Sequence, residues 1–264
     1  MNCGRGQRMK TRLKILLFYA LLLGAWQLVA ALRVLPEYRF PSPAAVVIRL
    51  QELLLDGALL PSIRATLTRM LIGFGTAAIL GLAIGIIMGM RPLIKRCFHS
   101  LCVGLQTLPS VAWVPIALLI FGLDDKGIYF VIIMSSVAGV AIAAADGIAH
   151  IPPLFIRAAQ TLGTPRRAMW YRVILPAALP SIVTGLKLGW TMGWHGAVSA
   201  ELIKSSIGLG YLLHMGRELN DVAQVIGMML VTILIGLVVD RFVFTPIERK
   251  IRRRWGLFTP ASST

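Results

Sequence analysis

Six long apolar stretches dominate this 264-residue chain, and they leave little choice of fold. They run Ile15–Leu32, Met70–Met90, Cys97–Phe121, Gly127–Ala145, Ala177–Ala200 and Val222–Phe244. A helix rises about 1.5 Å per residue, so about 20 apolar residues cross a hydrocarbon core of about 30 Å. The runs are continuous and do not alternate, which excludes a β-barrel. An all-α, polytopic membrane protein with six transmembrane helices is therefore expected. Only 14% of residues are charged and the mean hydropathy is +0.77. A soluble domain carries about 25% charged residues, so lipid must cover much of this surface.

The net charge is +16, yet the cations sit in short loops and tails and not along one face of a domain, which argues against nucleic acid as a partner. Cys3, Cys97 and Cys102 have neither metal-ligand spacing nor a disulfide framework. Arg5, Arg8, Lys10, Arg12 and Lys14 precede the first apolar run, as in a signal peptide. That run is longer than a signal's apolar core and more spans follow, so a retained helix is expected. With the N-terminus inside, seventeen Lys and Arg residues fall on inside segments and seven outside. The asymmetry places both termini in the cytoplasm.

The sequence divides into a cytoplasmic basic tail (1–14), a first span (15–32), an external amphipathic segment (33–64), a core domain (65–245) and a second basic tail (246–264). In the external segment Ser42 suits an N-cap and Pro43 the first helical position. A helix to about Asp56 would carry Val46, Val47, Leu50, Leu53 and Leu54 on one side, lying on the membrane surface. Gly81, Gly85 and Gly89 in the second span, and Gly185, Gly189 and Gly193 in the fifth, recur every fourth residue. Such spacing lets helix backbones approach closely in lipid.

The stretch between the fourth and fifth spans, 151–176, is longer than a connector needs to be. Phe155–Leu162 suits a short helix, and Gly163 the left-handed position that ends it. Thr164 suits a cap and Pro165 the first position of a second short helix reaching about Arg172, with Pro176 opening the fifth span. The result is a basic helix–turn–helix knob (155–172) on the cytoplasmic face, fit for docking a partner.

These residues resemble the transmembrane subunits of ATP-binding-cassette importers. Their signature is Glu-Ala-Ala, a Gly four residues on, then an aliphatic residue and Leu-Pro. Ala158, Ala159, Gly163, Val173, Leu175 and Pro176 match it, whereas Arg157 stands in place of the Glu. The stretches FPSP (40–43), LPSVAWVPIALLIFG (108–122) and AELIKSSIGLGYL (200–212) are similar to the branch importing nitrate, taurine, alkanesulfonates, bicarbonate or thiamine-precursor pyrimidines. The resemblance runs from about Phe40 to Trp255. It implies the type I permease fold in a bacterial inner membrane, with residues 151–176 as the coupling loop. It implies as partners a second permease copy, two cytoplasmic ATPase subunits using ATP and Mg, and a periplasmic or lipid-anchored binding protein.

No GxxxxGK[ST] phosphate-binding loop occurs in the chain, nor HExxH or GxSxG. A permease subunit with no ATPase site and no bound cofactor is expected, with hydrolysis left to a partner. The four histidines form no metal site. A charge at membrane depth costs about 2.5–3.5 kcal/mol, so it should face a cavity or a partner. Lys187, Trp190, Thr191, Trp194, Val198 and Glu201 share helical spacing, and a face of a cation, indoles and a hydroxyl suits a pathway for a small anion. Lys187 could equally snorkel to the interface, the tryptophans pack, and His195 on a neighbouring face donate between helices. Pro109 and Pro115 should kink the third span, so that Gln106–Pro115 borders the pathway or packs as an inert bend. Arg69 and Asp240 read as interfacial anchors, and Asp146 as a potential partner of a knob arginine. A gradient-driven secondary transporter or channel is the alternative; it would need a deep acidic site and internal repeats.

Overall fold

The computed structural model describes residues 3–32, 36–203 and 207–254. Arg33, Lys204, Trp255, the middle of the 200–212 stretch and the end of the C-terminal tail lie outside the described residues. Among the described residues every regular element is helical. The helices are α1 (Cys3–Ala31), α2 (Pro43–Leu55), α3 (Leu59–Met90), α4 (Pro92–Thr107), α5 (Trp113–Phe121), α6 (Asp125–Ala149), α7 (Pro153–Thr161), α8 (Arg166–Met169), α9 (Leu175–Glu201), α10 (Leu209–Glu218), α11 (Val222–Val239) and α12 (Thr245–Arg254). Five helical runs are long and apolar enough to cross a membrane, and six if the bent pair α4/α5 counts as one span.

The centre of the bundle is α6, packed between α3 and α9. Both glycine stripes face it. A Cβ at Gly85 would lie 2.6 Å from the Ala141 carbonyl oxygen, and one at Gly81 2.8 Å from the Val140 Cβ. From the other side, a Cβ at Gly189 would meet the Val140 side chain at 2.6 Å, and one at Gly185 would collide with Ala143. Helices in lipid gain little from hydrophobic burial against one another, so backbone approach of this kind supplies the packing that joins them. On α6 itself Ala138, Ala141, Ala144 and Ala145 answer with small side chains, all fully or nearly fully buried.

The third apolar stretch is sharply bent, as a broken span or a re-entrant loop. Its two limbs diverge by 94°. Leu108 (φ −72°, ψ 127°) is extended, as a residue before proline is driven to be, and Pro109 follows in the same region. Pro115 is not where the limbs part: it sits within the second limb, where a 3-10 turn over Ser110–Ala112 leads directly into α5.

Ser42 accepts a hydrogen bond from the Ala45 N–H and caps α2, with Pro43 in its first turn and Asp56 at its end. α2 does not simply lie on a membrane surface. Val46 and Leu50 pack against Gly227 of α11, and Arg49 bridges to Asp221 at 2.6 Å and Gln224 at 2.9 Å. Hydrogen bonding to Glu52, with the charge of Asp221, holds the Arg49 guanidinium above its ordinary pKa. Val47 and Leu54 point outward.

Candidate functional site: knob, groove and buried ion network

The knob begins where Ile151 leaves α6 and packs with Ala144, Ala178 and Ile182. α7 ends in a tight cap: the Gly163 N–H donates to the Gln160 carbonyl and the Thr164 N–H to that of Ala159, with Gly163 at φ +71°. This is the reciprocal pair of bonds of a Schellman turn, which needs a left-handed residue at that position. The next helix differs from expectation. Pro165 (φ −65°, ψ 150°), not Thr164, occupies its cap position, and Arg166 is the first helical residue. That helix does not stop near Arg172.

It continues through a wide turn, Trp170–Ile174, directly into α9, giving one helical run from Arg166 to Glu201. Pro176 therefore lies inside a helix and does not open one. The wide turn explains how. A proline lacks an N–H and crowds the carbonyl four residues back. Here the ladder is opened to five-residue spacing, the Leu175 N–H reaching the Trp170 carbonyl. The exposed surface of the knob carries Leu154, Phe155, Arg157, Ala158, Leu162, Arg166 and Arg167, with Leu162 83% exposed. Ala159, Ala168 and Met169 are buried beneath it.

Further along, α6 and α9 form the walls of a groove. At its knob end an open cleft of about 590 Å³ is lined by residues including Asp146, His150, Ser181, Thr184 and Leu188. Beyond it, a cleft of about 310 Å³ holds Gln106, Pro109, Ser110, Ser135, Met192 and His195. On α6, Ser135, Gly139, Ala143 and Asp146 follow helical spacing; on α9, Ser181, Thr184, Leu188, Met192 and His195 do the same. The two clefts thus succeed one another along one pair of helix faces. The break between α4 and α5 contributes Gln106 and Pro109, so two residues expected from sequence meet His195 here. Ser135, Ser181 and Thr184 were not anticipated; hydroxyls are common enough in membrane helices that spacing alone does not single them out.

The rest of the expected face on α9 is divided. Lys187 does not enter the groove: its Nζ lies 2.5 Å from the Asp240 carboxylate at the end of α11. Asp240 is thus the ion partner of a residue on α9, with both side chains about two-fifths exposed. Trp190 stacks on Trp194 at 6.2 Å and meets the Phe74 ring edge-on at 5.3 Å. Trp194 is buried in the core with Met70 and Ile132. Thr191 is exposed and its hydroxyl donates to the Lys187 carbonyl. A stripe at spacings of three and four covers a broad arc of helix. On α9 that arc spans two packing interfaces and an open side. Asp146 takes Lys95 as its partner at 2.9 Å, not a knob arginine.

At the end of the bundle opposite the knob lies a buried ion network. Arg69 is buried and bonds Glu201 at 2.9 Å and the Ile207 carbonyl at 2.6 Å, and bridges to Asp125 at 3.1 Å. Arg69 is therefore a buried ion partner, not an anchor. Glu201 is fully buried and also accepts from the Thr66 hydroxyl and the Gly210 N–H, while Thr66 accepts from the Leu209 N–H. Gly208 and Gly210 crowd the Glu201 side chain so closely that a Cβ on either would sit 2.6 Å from it. The pairing of Glu201 with a Gly-Leu-Gly seven residues on, and of Thr66 with Arg69 one turn apart, was the signal available in the sequence.

Known proteins share this arrangement of sequence. Residues 81–253 match the family described as the binding-protein-dependent transport system inner membrane component. The chain is 32% identical to the taurine transport system permease protein of Escherichia coli (strain K12), over 75% of this chain and 74% of that one. It is 31% identical to a putative aliphatic sulfonates transport permease protein of Bacillus subtilis (strain 168), over 90% and 86%. It is 33% identical to a bicarbonate transport system permease protein of Synechococcus elongatus, over 78% of each. The family match covers well over half of the chain and the relatives most of it, so this protein belongs to the binding-protein-dependent inner membrane components, the permease subunits of ATP-binding-cassette importers.

Proposed function

We propose that two copies of this chain form the pathway for a small anionic solute, each moved by an ATPase seated on residues 155–172. Family membership brings an ATPase and a substrate-binding protein as partners. Relatives named for taurine, aliphatic sulfonates and bicarbonate share small solutes bearing an anionic sulfonate or carbonate oxygen group, which supports that substrate class. The membrane is a bacterial inner membrane, with both termini and the knob in the cytoplasm, as the Lys/Arg asymmetry suggests. The chain is not itself an enzyme and binds no cofactor; ATP and Mg serve the partner.

The observation that carries this reading is the unbroken helix from Arg166 to Glu201. Its first turns stand in the knob, and Thr184, Leu188, Met192 and His195 line the groove on the same rod. Movement of the knob therefore moves a groove wall. ATP binding closes the ATPase pair, draws the knobs together and opens the groove outward to the binding protein; hydrolysis resets it. Differential affinity of ATP for the closed state supplies the shift.

In the groove, His195, Gln106 and Ser135 offer hydrogen-bond donors and acceptors, and Pro109 shapes the turn that follows Gln106. Lys187, paired with Asp240, stands behind these groups as a pathway residue. The test is uptake into vesicles containing the complete transporter. Uptake should require ATP, persist with an uncoupler, and fall in a Gln106→Leu/His195→Leu double variant while ATP hydrolysis stimulated by the binding protein continues. Uptake that survives ATP depletion but stops with the uncoupler would instead support a gradient-driven transporter.

A further inference from the structure

α11 runs beyond its apolar segment. Through a second wide turn, Asp240–Phe244, it continues into α12, whose sequence TPIERKIRRR sets five cations against the single acid Glu248. Arg241, Thr245, Arg249 and Arg253 recur every fourth residue and so share one face. With Pro246 and Lys250 they line one open cleft of about 570 Å³. Beside this basic face the chain exposes Phe242, Val243 and Ile247, with Phe242 74% exposed.

The position of the cleft follows from two contacts. Lys187 of α9 pairs with Asp240, and α12 then packs against α9. α9 begins at the knob and leads away from it, and α12 runs alongside in the opposite sense. The cleft therefore lies toward the knob end of the bundle, where the polar headgroups of that leaflet begin.

We propose that this cleft binds the phosphate headgroup of an anionic phospholipid, with Phe242 and Ile247 against its acyl chains. Guanidinium groups match phosphate oxygens with paired hydrogen bonds. A basic segment directly beyond a membrane helix attracts anionic lipid, and the cationic headgroup of a zwitterionic lipid meets repulsion in the same cleft. The neighbouring apolar side chains select among possible occupants. A free phosphate ion would leave Phe242 and Ile247 uncovered, and an acidic protein surface would match the arginines but not the exposed phenyl ring. A lipid satisfies both halves. The proposal is independent of the solute the groove carries.

The test uses the full transporter, purified and stripped of lipid, then offered equimolar phosphatidylglycerol and phosphatidylcholine in mixed micelles, with bound lipid counted by native mass spectrometry. The native protein should retain phosphatidylglycerol in preference to phosphatidylcholine. Arg249→Gln/Arg253→Gln should lower phosphatidylglycerol retention by about tenfold. Arg249→Lys/Arg253→Lys should keep most of it, which also shows that substitution here leaves the chain folded. Unchanged retention in the glutamine variant, or equal loss of both lipids, would overturn the proposal. Displacement of phosphatidylglycerol by millimolar inorganic phosphate would make this a site for free anions. Loss of the ATPase subunit with lipid retention intact would make it a protein-docking surface.

Discussion

Glu201 and Lys187 are both ionisable residues of α9, and their surroundings give them different energetic weight. Glu201 is fully buried, and every oxygen has a partner: Arg69, Thr66 or the Gly210 N–H. Removing one member of a buried ion set costs up to about 3–5 kcal/mol, less where a second partner such as Asp125 remains on Arg69. Glu201→Gln should therefore reduce the amount of folded protein in the membrane sharply, read by thermal stability in detergent, while Glu201→Asp should lose less. Lys187 and Asp240 are 40% and 41% exposed on this chain, so their pair is worth less. Lys187→Met alone should weaken stability by about 1–3 kcal/mol, and adding Asp240→Asn should recover most of it. Additive losses in that cycle would mean the two groups do not interact. Sequence placed Lys187 within the fifth span, facing a cavity or a partner or snorkelling to the interface. It did not show which partner, because Asp240 is 53 residues away and only the antiparallel packing of α9 and α11 brings it near.

Among elements, the glycine stripes were readable and their destination was not. Spacing of four marked a close helix contact on α3 and on α9; only the fold reveals that one helix, α6, receives both. Gly85→Leu should be poorly tolerated, since its Cβ alone would meet the Ala141 carbonyl oxygen at 2.6 Å and overpacking costs about 1–3 kcal/mol. Gly24→Leu, with open space around it, should accumulate normally; the comparison is read as folded protein per membrane. The turn at Gly163 was legible because a left-handed position after a short helix has few sequence solutions. The boundary at Pro176 was misread for an equally physical reason. Proline predicts a helix break only where the hydrogen-bond ladder cannot widen, and the Trp170–Ile174 turn widens it. In the third apolar stretch Pro109 marked a bend in the sequence, and only the fold shows its size, 94° between the two limbs. Gly163→Val should disturb the knob locally, lowering transport more than it lowers folded protein, measured by uptake normalised to membrane content.

At the scale of the molecule, the knob and the groove are joined by one rod, and the buried ion network closes the far end of that rod against α3 and α10. In the proposed mechanism this arrangement gives the fifth apolar stretch a mechanical role. The class of the protein was legible from apolar runs and from the knob residues Ala158, Ala159, Gly163, Leu175 and Pro176. The groove was legible only in part, since its lining is assembled from α4, α6 and α9 and no local pattern reports such a meeting. Arg157 is exposed on the knob where the signature has Glu, so the chemistry of docking is the point to test. The most direct measurement is cross-linking from the Schellman turn. A Thr164→Cys variant, with single cysteines placed across the groove of the ATPase subunit, should capture that subunit in membranes. The yield should change when ATP is added. Absence of any ATPase adduct, under conditions where the transporter remains active, would contradict the coupling role of residues 155–172.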